Sequence, residues 1–162
     1  MSRILTASAS LSLLLLAGCQ ALSYQPPTGD DTASITFTSD NIAVQPVICV
    51  PGSGFRSTSM ALAHKPFQSE FFDELNAGLR KAESVTTDVS TISGSALVGF
   101  ILQERPREGM AKRCKTAARF PVQAGASYQA HFLYEGGHCG IQIKDASGAP
   151  LADAVATPWQ CN

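Results

Sequence analysis

Tyr128-Gln129-Ala130-His131-Phe132-Leu133-Tyr134 is the stretch on which the fold class turns. Alternate residues Tyr128, Ala130, Phe132 and Tyr134 form one apolar face, the period of two expected of a half-buried strand. Glu135-Gly136-Gly137-His138 then breaks the pattern with paired glycines, a hairpin turn, and Cys139 to Lys144 runs back. Asp145-Ala146-Ser147-Gly148 turns again, and Leu151 to Ala156 reads as a final strand.

Upstream, the same logic finds more strands. Ala33 to Thr38 alternates polar and apolar, Val44 to Val50 is β-rich, and Pro51-Gly52-Ser53-Gly54 stops it. Val85 to Ile92, Ala96 to Gln103 and Cys114 to Phe120 follow, with a loop at Arg105-Pro106-Arg107-Glu108-Gly109. One segment, Pro66 to Ala82, has helical spacing: Phe67, Phe71, Leu75 and Leu79 recur every fourth residue, with Phe72 widening the stripe. Glu70, Asp73 and Glu74 sit early and Arg80 and Lys81 late, as the helix dipole favours. Many short strands between Gly-rich turns predict a mainly β chain, an antiparallel β-sandwich of the immunoglobulin or transthyretin kind with one short helical insertion.

With 162 residues, 44% hydrophobic and 15% charged, the chain holds one domain with a substantial core. The net charge of −1 gives no nucleic-acid footprint. The first segment follows a different grammar. Met1-Ser2-Arg3 carries one positive charge, an apolar run extends from Ile4 to Leu16, and Leu16-Ala17-Gly18-Cys19 follows at once. This is the layout of a secretory signal, shorter than the roughly 20 residues that span a bilayer. Leu16-Ala17-Gly18-Cys19 resembles the lipobox of bacterial lipoproteins. The resemblance implies cleavage before Cys19, a diacylglycerol thioether on it and an acylated amino terminus. In enteric bacteria an Asp at the next position resembles an inner-membrane retention signal, so Gln20 favours the outer membrane; the body is expected to face the periplasm. The expected organisation is residues 1–18 signal peptide, 19–32 acylated tether and 33–162 β-sandwich domain, with Pro26 and Pro27 stiffening the tether.

Cys49, Cys114, Cys139 and Cys161 remain besides the lipidated cysteine. In an oxidising periplasm four cysteines read as two disulfides, and no pair has the close spacing of a metal site. Three connectivities are open. The favoured one is Cys49–Cys114 with Cys139–Cys161, because the second bridge would tie down the tail.

No catalytic set emerges. Gly52-Ser53-Gly54 lacks the glycines of a nucleophile elbow and reads as a turn. His64, His131 and His138 stand singly, with His131 alternating onto an outward face, so neither a metal nor another cofactor is expected. The basic cluster Arg105, Arg107, Lys112, Arg113, Lys115 and Arg119 has two readings. It presents a positive face to lipid phosphates, cell-wall carboxylates or an acidic protein, or it guards a sheet edge against pairing. Trp159 reads as an interface anchor or as a core cover pinned by Cys161.

Four further resemblances bear on fold and function. Phe120-Pro121…Gly125-Ala126-Ser127-Tyr128 resembles the tyrosine corner of Greek-key sandwiches, which implies a structural Tyr128 whose hydroxyl bonds back to upstream backbone. The run from Cys114 through Phe120, Gly125-x-x-Tyr128 and Cys139 resembles a group of little-characterised Gram-negative outer-membrane lipoproteins. Phe71-Phe72-Asp73-Glu74-Leu75 is faintly similar to part of a type VI secretion lipoprotein family, from whose pattern the four cysteines depart. Ser93-Gly94-Ser95 is the kind of segment that lysozyme inhibitors present. The expected function is a non-enzymatic binding or envelope-assembly module, held by its lipid anchor and meeting a periplasmic or envelope protein partner. An inhibitor of a cell-wall enzyme and a secretion accessory are the alternatives.

Overall fold

The computed structural model describes residues 23–40, 43–62, 81–104 and 112–162. Among these the chain forms eleven strands: β1 (Thr32–Ser39), β2 (Gln45–Val50), β3 (Gly54–Ser57), β4 (Ala61–Leu62), β5 (Lys81–Ala82), β6 (Ser84–Ser90), β7 (Ser95–Glu104), β8 (Lys112–Pro121), β9 (Ser127–Glu135), β10 (His138–Asp145) and β11 (Val155–Thr157). The expected lipidation site Cys19, the signal segment, Arg105, Arg107 and the core of the expected helix lie outside the described residues. The last two residues of that helical pattern, Lys81 and Ala82, form β5.

Two sheets pack face to face as a β-sandwich. One has the order β10-β9-β1-β6, the other β11-β8-β7-β2-β3, and β4 with β5 makes a small parallel pair. The strand over Tyr128–Tyr134 is β9, and Gly136 and Gly137 turn it into β10 with φ of 57° and 85°. A two-residue hairpin of this kind needs left-handed backbone at both positions, which glycine adopts without a Cβ penalty. The sandwich is not wholly antiparallel: β1 lies parallel to β9, with Ile35 beside Tyr128 and Phe37 beside Ala130. Alternation fixes which face of β1 is buried, and either strand direction satisfies that requirement.

The core between the sheets is aromatic at its centre. Phe37 of β1, Phe100 of β7 and Phe132 of β9 are fully buried, with ring centroids 5.6 Å (Phe37 to Phe100) and 5.4 Å (Phe100 to Phe132) apart. Ile35, Val98, Leu102, Phe120, Ala130 and Ile143 complete the layer. Tyr128 packs its ring 5.3 Å from Phe120, and its hydroxyl accepts the Gln123 N–H at 3.2 Å. This back-bond braces the arch that carries the chain from β8 in one sheet to β9 in the other.

The expected last strand is shorter than its sequence pattern. Leu151 N–H bonds Ile143 O beside β10, Ala154 N–H bonds Leu151 O in a turn, and only Val155–Thr157 pairs, with β8 of the opposite sheet. Residues 151–154 are the crossing between sheets. The preceding turn is built by Asp145, whose carboxylate accepts the Ser147 hydroxyl and the Ser147 and Ala149 amides. Those bonds, the Ser147 hydroxyl foremost, hold its carboxyl below the usual range.

The disulfides are Cys49–Cys161 and Cys114–Cys139, which corrects the favoured pairing. Cys114 points inward from β8 and Cys139 inward from β10, so their bridge, with Cα atoms 6.4 Å apart, joins the two sheets along one side of the sandwich. Cys49 faces outward from β2, where the tail returns with Cys161 at a Cα distance of 5.4 Å. The tail is tied down as expected of one bridge, but to a different cysteine.

The opposite side is closed by the segment expected to be a polar tether standing clear of the body. Ser23 pairs with Ser57 of edge strand β3, and Tyr24 N–H donates to Ser57 O at 2.7 Å. The Tyr24 hydroxyl reaches edge strand β6 of the other sheet, donating to Asp88 O at 2.9 Å, while its ring packs against the core. Burial, with the Asp88 charge beside it, pushes the Tyr24 phenol up to about 12. From Ser23 onward the expected tether is therefore a strap across the body.

Candidate functional site

Strand β8 alternates cleanly. Cys114, Thr116, Ala118 and Phe120 turn into the sandwich, and Arg113, Lys115, Ala117 and Arg119 turn out onto the outer face of the five-stranded sheet. Arg113, Lys115 and Arg119 are exposed, and among the described residues no carboxylate lies within ion-pair distance of them. Of the predicted basic cluster, these three side chains are thus brought onto one line. Lys112 begins the strand, and its side chain lies outside the described residues, as do Arg105 and Arg107.

An aromatic shelf stands next to this line. Trp159 stacks on Phe55 of β3 at 4.2 Å with 26° between the ring planes, and the Lys115 ammonium sits 5.3 Å from the Trp159 ring centroid. The ring covers Gly99 of β7, which lies directly between Val47 of β2 and Ala117 of β8. Val47, Leu97 and Ala117 are buried on this outer face, a second small cluster separate from the main core. Trp159 takes the covering role over Gly99 and, being only half-buried, still contributes to the surface.

Gly99 is the residue that admits the ring. A Cβ there would stand 2.5 Å from Thr116 O and 3.0 Å from Trp159 Cζ3, and the carbonyl belongs to a paired strand that cannot move aside. Gly99→Ala is therefore expected to cost about 1–3 kcal/mol, as overpacked sites do. It should also change the tryptophan emission. Urea titration and fluorescence check both, and an unshifted midpoint would show that the tail gives way freely.

β11 covers the outer edge of β8 only at Ala117, Ala118 and Arg119. The stretch from Lys112 to Thr116 continues beyond it, and charged side chains along such an edge discourage a further strand from adding. Edge protection and presentation of charge are compatible uses of the same residues.

The outward face of the four-stranded sheet differs in kind. Thr36 and Thr86 share a hydroxyl contact of 3.0 Å. His131, outward as its alternation predicts, is held at both ring nitrogens: Thr38 Oγ1 lies 2.8 Å from Nδ1 and Asp40 Oδ2 lies 3.0 Å from Nε2. Thr38 and His131 are register partners in the parallel β1–β9 pair. Sequence reading missed this row because its members lie more than ninety residues apart, and no local signal joins them. Threonine, histidine and aspartate are the residue types of a nucleophilic triad. Here, however, the carboxylate is 74% exposed, and the row serves to fasten the end of β1 to β9.

A groove of about 230 Å³ lies elsewhere, beneath the strap, bordered by Tyr24, Gln25, Thr58, Ser59, Val85 and Thr86. Among the described residues, no group of three or more histidine, cysteine or acidic side chains is placed to hold a metal ion. Ser93-Gly94-Ser95 forms part of the β6–β7 turn, with Ile92 exposed at its tip, and the Ser93 hydroxyl is engaged with Ser95 O at 2.8 Å.

No family model matches this chain, and no curated protein matches it either.

Proposed function

We propose that the protein is a lipoprotein anchored to the outer membrane through an acylated Cys19, its body facing the periplasm. In this reading the sandwich is a non-enzymatic binding or envelope-assembly module that meets an anionic partner on the outer face of β8. The observation that carries the reading is the line of Arg113, Lys115 and Arg119, exposed, without a carboxylate partner among the described residues, and set beside the Trp159–Phe55 shelf. Arginine in such a line suits planar phosphate or carboxylate groups, and aromatic neighbours strengthen a contact surface. The two disulfides support an oxidising compartment. The Leu16-Ala17-Gly18-Cys19 motif supports the anchor.

The test places a photo-crosslinking residue at Val155, which is 61% exposed and pairs with Arg119. The full chain is expressed in its own membranes, with Arg113→Glu/Lys115→Glu/Arg119→Glu as the comparison. The expected result is a discrete adduct that falls at least ten-fold in the reversed variant, with an unchanged melting temperature. Adducts that persist through the reversal, or none at all, would sink the reading. Mass spectrometry of the same sample is expected to find an acylated amino terminus at Cys19.

A further inference from the structure

The two outer faces of the sandwich carry opposite charge. On the five-stranded sheet the charged residues that alternate outward from described strands are Arg113, Lys115 and Arg119, all cationic. On the four-stranded sheet the outward charges are Asp88, Glu135 and the single cation Lys144, with Asp40 exposed just past β1, so acidic groups predominate there among the described residues. The cationic face also holds what an interfacial surface uses: the half-buried Trp159 and Phe55, and the exposed Val155 directly opposite Arg119. Tryptophan and basic side chains together favour the boundary between headgroups and water.

The strap restricts how the body can stand. Ser23 is paired to Ser57 on β3, an edge strand of the five-stranded sheet, and Tyr24 locks the segment to both sheets. Only four residue steps separate Ser23 from Cys19, a reach of at most about 14 Å for a fully extended chain. The four-stranded sheet lies roughly 10 Å further from β3's own plane, the usual spacing of packed sheets. The leash therefore leaves from the β3 edge of the sheet that bears the cationic face, and it is too short to hold the body far from the bilayer. Held that close, a weak surface contact acts at high effective concentration.

We infer that the outer face of the five-stranded sheet lies on the phosphate headgroups of the leaflet that carries the lipid anchor, a placement that rests on the acylation of Cys19 proposed above. Arg113, Lys115 and Arg119 meet the phosphates, and Val155 and the Trp159 shelf settle at the headgroup boundary. The four-stranded face, with the Thr38–His131–Asp40 row, then looks into the aqueous compartment.

The test uses the mature chain with Cys19→Ser, so that no acyl chain contributes. Its sedimentation is measured with vesicles of phosphatidylcholine alone and of phosphatidylcholine with phosphatidylglycerol. Partition onto the anionic vesicles is expected to exceed that onto neutral ones at least ten-fold. Arg113→Gln/Lys115→Gln/Arg119→Gln should lower it on the order of a hundred-fold, given the weight of each basic residue near an anionic surface. Lys144→Gln, on the opposite face, should leave it unchanged, and molar salt should abolish it. Equal partition onto both vesicle types, or indifference to the triple substitution, overturns the inference. If native protein is acylated at Cys19 while its Val155 adducts are cell-wall or protein material and vesicles are ignored, the headgroup placement fails and the binding module stands. If Cys19 is unmodified in the native protein, the anchor and this placement fall together.

Discussion

Replacing Cys49 and Cys161 together by alanine is expected to lower stability by roughly 4–5 kcal/mol, the largest effect foreseen for any pair outside the main core. The bridge closes a loop of 112 residues, and the chain-entropy account gives about that figure for a loop of such length. For the Cys114–Cys139 bridge, which spans 25 residues, the same account gives about 3.5 kcal/mol. The longer bridge also holds the tail that lays Trp159 on Phe55 and Gly99. Without it, Gly99 and the buried Ala117 beside it lose the cover of the ring and gain water. In a domain of this size the melting temperature should fall by about 10–20 °C. Tryptophan emission should shift to the red, and limited proteolysis should trim the chain after β11. The ordering of the two bridges is the sharper test. If the Cys114→Ala/Cys139→Ala chain proves the less stable, bridging of the sheets outweighs loop length and the argument is wrong.

The sequence made the hairpin half of this fold legible and the closures illegible. Tyr128 to Tyr134 alternates over a full strand, and Gly136-Gly137 names its own turn, so β9 and β10 follow from local chemistry. Strand β3, Gly54-Phe55-Arg56-Ser57, is too short to show a period and sits against turn residues that hide it. The parallel meeting of β1 and β9 is a non-local choice to which alternation is blind. The disulfides were expected in number and not in partner, because partner choice depends on sheet order: Cys114 and Cys139 become neighbours only once β8 and β10 share a side of the sandwich. The candidate site divides the same way. The basic residues of β8 could be read directly, whereas their neighbour Trp159 reaches them through a tail whose course is set by Cys161. Tyr24 looked like part of a polar tether, since nothing near it in sequence reveals that β3 and β6 offer it two carbonyls.

Phe100→Ala is expected to cost about 3–5 kcal/mol, at the upper part of the range for a large buried side chain. The ring is fully buried and stands on β7 between Phe37 and Phe132, which both project from the opposing sheet. Removing it takes away the one side chain that touches both rings across the interface described by those contacts. How far the gap can collapse decides the size of the loss, and the sandwich is poorly placed to collapse. The Cys114–Cys139 bridge fixes the separation of the sheets on one side, and the Tyr24 strap spans them on the other. Ile92→Ala gives the contrast. Ile92 is 85% exposed at the β6–β7 turn and should change stability by no more than about 0.5 kcal/mol, as surface substitutions do. Urea denaturation with an unchanged slope separates the two cleanly, since a changed slope would report a different denatured or native compactness. A Phe100→Ala loss below about 1.5 kcal/mol would mean that the sheets do close over the gap. In that case the bridge and the strap are hinges for the sandwich, and the rigidity on which the placement of β8 depends would have to come from the sheets themselves.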